Sequence, residues 1–330
     1  MYHLGCLGLP LLRRKVARRR YYCRPESGSI NLLFGTELYK CDTFGLFAIM
    51  RNMDNTKDFN GPITPEYVRS LSYTDFVGLI NQWNVLPGSY VTLSKWAKFS
   101  DLNPQSRLLE IACTTGFSSR ELVTLSGCGG EGFDISEKSV NMANYNKEKY
   151  APNIDFSYRV ADGYTYETEQ PFTHIVVGAS LGFFPDPQKM LGKCVSILCD
   201  GGHILAAPFY VIKTIPENLI KRAQNIFGIT PTQVPYKEIM KLYNKLEILF
   251  EEHNSLIEET DEELHYYCKS TVERACQMLG IDDKDVYGAM YDRLFDVKKM
   301  SNDLRPYQRY VVLVLRYRKA VYPNRFVELF

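Results

Sequence analysis

No apolar run approaches the roughly 18 residues a membrane-spanning helix needs, so nothing in the chain reads as crossing a bilayer. Charge of one sign is also missing in excess: 39 Lys and Arg stand against 38 Asp and Glu, a net charge of +1. A balance this even gives no general attraction to nucleic acid or to an anionic membrane surface. Nine cysteines occur, but none forms a C-x-x-C pair or a Cys/His cluster at zinc spacing. No metal site is expected, and scattered thiols in a chain this long read as reduced cysteines of a soluble cytoplasmic protein. No internal repeat is present. At 330 residues the chain can bury a large core, in one big domain or two smaller ones.

The first 25 residues contain seven Lys/Arg (Arg13, Arg14, Lys15, Arg18, Arg19, Arg20, Arg24) and no acid. A translated leader without a folded role, an Arg-rich mitochondrial presequence and a nucleic-acid arm all fit that composition. Gly5, Gly8 and Pro10 break the amphipathic helix a presequence would need. Met50 and Met53 are alternative starts, and residues 26–60 show no sustained periodicity, so 1–60 is expected to be an irregular leader outside the fold. Patterning begins at Thr64-Pro65, an N-cap followed by proline at the first helical position. Helices are expected over the segment beginning there, over the stripe Phe76, Val77, Ile80 and Trp83, and over Val91–Phe99. Together they would form an N-terminal helical lid over 61–100.

From Arg107 the pattern alternates. Leu108-Leu109 ends in Glu110, a small-residue turn runs from Ala112 to Gly116, and a helix is expected from Phe117 to Ser126. The next strand ends at Asp134. Further strands are expected at 154–160, at 173–180 (an apolar run of the kind buried on both faces of a parallel sheet) and at 203–211. Helices lie between them, one starting behind Ser136 and one behind Asp186-Pro187. Strand–helix alternation of this kind argues for a doubly wound α/β sheet with right-handed crossovers. After Pro216 only helical patterns are found until about Asp303, including Ile239, Leu242, Tyr243, Leu246, Leu249 and Phe250 at i, i+3, i+4 spacing. Residues 212–305 are therefore expected to be a helical cap inserted after strand five. The sheet is resumed by RYVVLVLRYR at 309–318, with RFVELF at 325–330 as a further candidate strand.

Strand, tight turn, helix, strand, acid is the layout of a nucleoside-binding βαβ unit. A dinucleotide needs G-x-G-x-x-G to let a pyrophosphate approach the backbone, and these positions read Ala112, Thr114 and Phe117. No G-K-[ST] tripeptide occurs, so a P-loop is excluded. The phosphate-bearing options lose. LLEIACTTG resembles motif I of class I S-adenosylmethionine (SAM)-dependent methyltransferases, with Glu110 as the motif acid and Gly116 as its last glycine. Ala112 and Thr114 stand where that motif usually has glycines. Asp134 matches the acid that binds the ribose hydroxyls, Asp162 in VADG the acid facing the adenine amine, and GASLGFF the segment under the sulfonium. CDGGHILAA is similar to the family's approach to strand five.

The resemblance covers about 64–211 and the late strand. It implies a Rossmann-like domain over 61–211 and 306–330, SAM as cofactor, and methyl transfer by in-line displacement. The implied cofactor-binding residues are Glu110, Ala112, Cys113, Thr114, Gly116, Asp134, Ile135, Asp162, Gly163 and Ser180. The polar lid residues Tyr73, Asn81 and Asn84, with Leu181, are candidates on the lid and substrate side. DFVGLINQWNVLPGS resembles a lead-in found in enzymes of this kind that modify small molecules, so a small-molecule acceptor is expected and nucleic acid is not. An RNA methyltransferase using the basic arm and a non-catalytic SAM-fold binding module are the rival readings. No catalytic residue is identifiable in advance. His174 and His203 start strands at the far end of the sheet and are expected to be structural, whereas His253 and His265 flank a run rich in carboxylates.

Overall fold

The computed structural model describes residues 62–319 throughout and, before them, the backbone of two strands at 29–34 and 37–42. The basic residues 1–25, Met50, Met53 and the candidate strand 325–330 lie outside the described residues. The chain divides into two units at Gly61/Pro62. In the first, β1 (Ser29–Phe34) pairs antiparallel with β2 (Glu37–Asp42), from Ser29↔Asp42 to Phe34↔Glu37. This corrects the expectation of irregular structure over 26–60. Two short half-apolar runs separated only by Gly35-Thr36 are a hairpin pattern, too short to show as sustained periodicity.

The second unit is built on an eight-stranded sheet. Its strands are β3 (Arg107–Ile111), β4 (Gly129–Asp134), β5 (Phe156–Val160), β6 (Phe172–Gly178), β7 (Leu198–Ala206), β8 (Phe209–Val211), β9 (Glu247–Ser255) and β10 (Gln308–Arg316). The order runs β5-β4-β3-β6-β7-β10-β9, and the short β8 pairs with the start of β10. Pairs among β3 to β7 are parallel, whereas β10 runs antiparallel to β7, β8 and β9. The expected doubly wound α/β class holds. Side chains alternate across the sheet, so neighbouring residues serve opposite faces. Leu108, Val176, Leu205, Val312 and Val314 meet Trp96, Phe117, Leu122, Val140 and Ala143 on one side. Leu109, Ile111, Ile175, Ile204, Leu313 and Leu315 meet Met190, Leu191, Cys194 and Tyr243 on the other.

The lid region forms α1 (Pro65–Ser70), α2 (Tyr73–Leu79) and α3 (Ser89–Phe99). Thr64 Oγ1 caps α1 by accepting from Tyr67 N at 3.1 Å. Helix α2 is shorter than its apolar stripe suggested: it stops at Ile80 because Asn81 turns left-handed, at φ 47°. Gly78 lets α2 lie against α5 (Glu137–Tyr150), since a Cβ there would stand 2.6 Å from Ser139 N. Helices α4 (Phe117–Ser126) and α6 (Pro187–Ser196) complete the layers, the latter capped by Asp186 as expected.

The insertion carries α7 (Glu217–Phe227), α8 (Tyr236–Leu242), α9 (Asp261–Leu279) and α10 (Lys284–Leu304). It is not purely helical, which corrects the expected cap over 212–305. Residues 247–255 are β9, lying along β10 from Glu247↔Arg316 to Ser255↔Arg309. Leu246, Leu249 and Phe250 fit a helical stripe by spacing, but β10 offers a full-length edge. At one end of the pairing Arg316 grips Glu247 with two bonds of 2.9 Å. The carboxylate run from Glu251 to Glu263 is likewise divided. Its first members lie on β9, and its last form the first turn of α9, where Thr260 and Glu263 close a capping box.

Candidate functional site

The C-terminal ends of β3 and β4 place two carboxylates differently. Glu110 is 5 % exposed and accepts a 3.0 Å bond from Ser119 N, in the first turn of α4. Burial pushes its carboxyl up to about 7, although Ser119, Ser118 and the nearby Arg120 all favour the ionised form. Asp134, 3 % exposed, takes Thr114 N on one oxygen and Ser136 N on the other, both at 2.9 Å. Burial raises its pKa too, against those backbone donors. Each Asp134 oxygen keeps one lone pair, the acceptor pair a vicinal diol requires. Beside it Ile135 is 72 % exposed, an apolar surface at a strand end where a flat base could rest.

Between the carboxylates the turn 112–116 folds back on β4: Cys113 N donates to Phe133 O at 2.9 Å. Gly116 caps α4 at φ 75°, and a Cβ there would strike the Tyr158 ring at 2.7 Å, so only glycine fits. The two positions that lack the motif's usual glycines show what they cost. Ala112 and Thr114 adopt φ 49° and 48°, a left-handed backbone disfavoured by about 1 kcal/mol or more per residue. Their departure from glycine therefore carries backbone strain.

The remaining predicted residues fall into two groups. Asp162 is exposed and accepts Tyr164 N at 2.9 Å in an Asx turn, while Gly163 is buried against Met190 and Phe133. Ser180 donates to Val177 O at 2.8 Å and opens a 3-10 turn, Ser180–Phe183, in which Leu181 is buried. Asn84 closes its own loop by accepting Leu86 N. Tyr73 comes to the end of β6: its ring stacks on Phe183 at 6.2 Å and meets the edge of Phe227 of α7 at 5.4 Å. Burial, with Tyr267 nearby, raises its phenol to about 12. Tyr73 also lines a cavity of about 440 Å³ with Arg69, Asn225, Asp292, Arg293 and Asp296.

His253 is held between Tyr210 and Glu251 (2.7 and 2.8 Å), and exposed His265 stacks on Tyr291 and Phe295. His174 and His203 stack at 4.9 Å at the opposite end of β6 and β7, away from Asp134. Sequence reasoning missed Asn146 and Tyr158, which grip the turn at Thr115 O and Gly116 O, both at 3.0 Å. The available signal was Asn146 itself, a polar residue on the inward stripe of α5 with Val140 and Ala143.

The sequence and the fold both resemble those of known proteins. Residues 108–202 match the family model described as a methyltransferase domain. The ubiquinone biosynthesis O-methyltransferase of Aromatoleum aromaticum is 22 % identical over 197 residues, 60 % of this chain and 73 % of the relative. The solved structure of MccD protein is 26 % identical with a TM-score of 0.59, covering 71 % of this chain and all (100 %) of that one. A Geobacter sulfurreducens SAM-dependent methyltransferase, solved with S-adenosylhomocysteine, shares the fold at 15 % identity and a TM-score of 0.57, over 74 % and 98 % of the two chains. Fold, motif order and family model together define a class I methyltransferase. The chain is an enzyme of that class, and its cofactor is SAM.

Proposed function

We propose that Asp134 and the turn 112–116 hold SAM, and that the acceptor is a small molecule bound between the lid helices and the insertion. The observation that carries the donor site is the pairing of Asp134 with Thr114 N, which fixes the turn against a carboxylate retaining a free lone pair on each oxygen. Vicinal hydroxyls suit that acceptor pair, and Ile135 offers an apolar rest beside it. SAM supplies an electrophilic methyl whose transfer leaves a neutral thioether. The chain's task is to orient the acceptor in line and keep water out.

Support for the acceptor side comes from Tyr73, Phe183 and Phe227, three aromatics from lid, sheet end and insertion meeting where β6 ends. The adjoining cavity has the size of a small-molecule site. With its phenol near 12, Tyr73 stays protonated at neutral pH and orients the acceptor as a hydrogen-bond donor rather than acting as a base. Residues 62–100 then serve as lid, and the helices of 212–305 as the acceptor-side wall. The name of the Aromatoleum aromaticum relative, a ubiquinone biosynthesis O-methyltransferase, is consistent with a small organic acceptor.

Calorimetry with S-adenosylhomocysteine tests the donor site. Losing two charge-assisted bonds in Asp134→Ala should weaken binding about 100-fold. Unchanged affinity in a variant with wild-type circular dichroism would refute the assignment.

A further inference from the structure

A strained turn persists only where its surroundings over-determine it. On one side of the turn 112–116 stands Asp134. On the other is a buried polar junction centred on the Asn81 and Asn146 side chains. Asn81 and Asn146 face each other across the α2–α5 contact and bond reciprocally: Asn81 Nδ2 donates to Asn146 Oδ1 at 2.9 Å, and Asn146 Nδ2 to Asn81 Oδ1 at 2.8 Å. The second N–H of Asn146 goes to Thr115 O at 3.0 Å, in the middle of the strained turn. Thr115 in turn donates its hydroxyl to Gln82 O. Both asparagines are buried, at 4 % and 0 % exposure, so these bonds are made out of water's reach.

Helix α9 joins the same junction from the insertion. Arg274 donates to Asn81 O at 2.7 Å, and Gln82 donates to the Tyr267 hydroxyl. Asn81 sits at φ 47°, a conformation asparagine tolerates better than most residues, which brings its amide round to face Asn146. All of Asn146's amide capacity toward the turn is committed. Removing it would leave Thr115 O buried without a donor and would free Ala112 and Thr114 to relax.

We propose that Asn81 and Asn146 are positioning residues for methyl transfer: a clasp outside the sheet that grips Thr115 and holds the strained turn 112–116 in its donor-ready shape. This rests on the reading of that turn as the donor site. The clasp also ties α9, on the acceptor side, to the donor turn, so a displacement of α9 reaches the turn through two side chains.

The test is calorimetric binding of S-adenosylhomocysteine to the full chain. Asn146→Ala, and separately Asn81→Gly, which keeps the left-handed backbone but deletes the amide, should each weaken binding about tenfold at a temperature where circular dichroism is unchanged. Adding Ala112→Gly with Thr114→Gly removes the strain the clasp opposes. It should therefore recover about threefold or more in the Asn146→Ala background, and a smaller factor in the intact protein. Wild-type affinity in both clasp variants overturns the proposal, as does an equal gain from the glycine pair in both backgrounds. A merely structural asparagine pair predicts that equal gain. If the intact protein fails to bind S-adenosylhomocysteine at all, the donor-site reading falls instead, and the two failures are distinct.

Discussion

Replacing Glu110 with glutamine keeps an oxygen for the Ser119 N–H and removes a buried charge. In the folded chain burial raises this carboxyl from 4.5 to about 7. Because the folded value lies above the unfolded one, the native state takes up the extra proton. The stabilisation is complete below about pH 4.5 and is lost as pH rises through 7. At about 1.36 kcal/mol per pH unit, the interval from 4.5 to about 7 corresponds to about 3 kcal/mol. The group is 5 % exposed, so solvent does little to screen it. Urea unfolding of wild type and Glu110→Gln at pH 5 and pH 8.5 would read this out. Any fixed cost of accommodating the amide cancels between the two conditions. The stability difference should move toward the variant by about 2.5 kcal/mol on going to the higher pH, since part of the effect is already lost at pH 5. A difference that stays constant would show that Glu110 is not a buried, reluctantly ionised acid.

Two further outcomes follow from the same geometry. Gly116→Ala forces a Cβ to 2.7 Å from the Tyr158 ring at φ 75° and should cost about 2–3 kcal/mol in chemical denaturation, and an unchanged midpoint would mean the turn yields freely. Burial, aided by His174 and Arg316, lowers the His203 imidazole from 6.5 to about 4. A depressed folded value gives stability that is present above pH 6.5 and lost as pH falls through 4, so the thermal midpoint should drop across that window and the drop should shrink in His203→Gln. An equally steep fall in the variant would assign the acid sensitivity to other groups.

Most of the sheet was legible because the helices between its strands open behind residues with one physical meaning, Ser136 and Asp186 as caps. The reading failed where a pattern served two periods at once. Leu246, Leu249 and Phe250 suit a helix or a half-buried edge strand equally, and only the presence of β10 decides between them. The acids of the site could be named from strand ends, since the end of a strand is a local property. Their roles could not be. Glu110 turns toward α4 and Asp134 toward the turn because of backbone donors nine residues ahead, at Ser119, and twenty back, at Thr114. Thr114 and Ala112 were visible as departures from glycine, but their left-handed backbone is a consequence of tertiary closure. The Asn81–Asn146 pair joins residues 65 apart, a separation that carries no periodic trace.

The placement of β9 has a consequence for how this enzyme could change its acceptor. A purely helical insertion could be exchanged between relatives as a cassette, its two ends being all that joins it to the sheet. Here one strand of the insertion is hydrogen-bonded along β10 from Arg309 to Arg316, and β10 is held on its other side by β7 and β8. Cutting out 212–305 would strip β10 of one neighbour and make this apolar strand the sheet's edge in place of the acid-bearing β9, a template for intermolecular pairing. With the acceptor placed as proposed above, new preferences would then arise by changing side chains such as Tyr73 and Phe227 in place, and grafting experiments should retain 247–255 from the host.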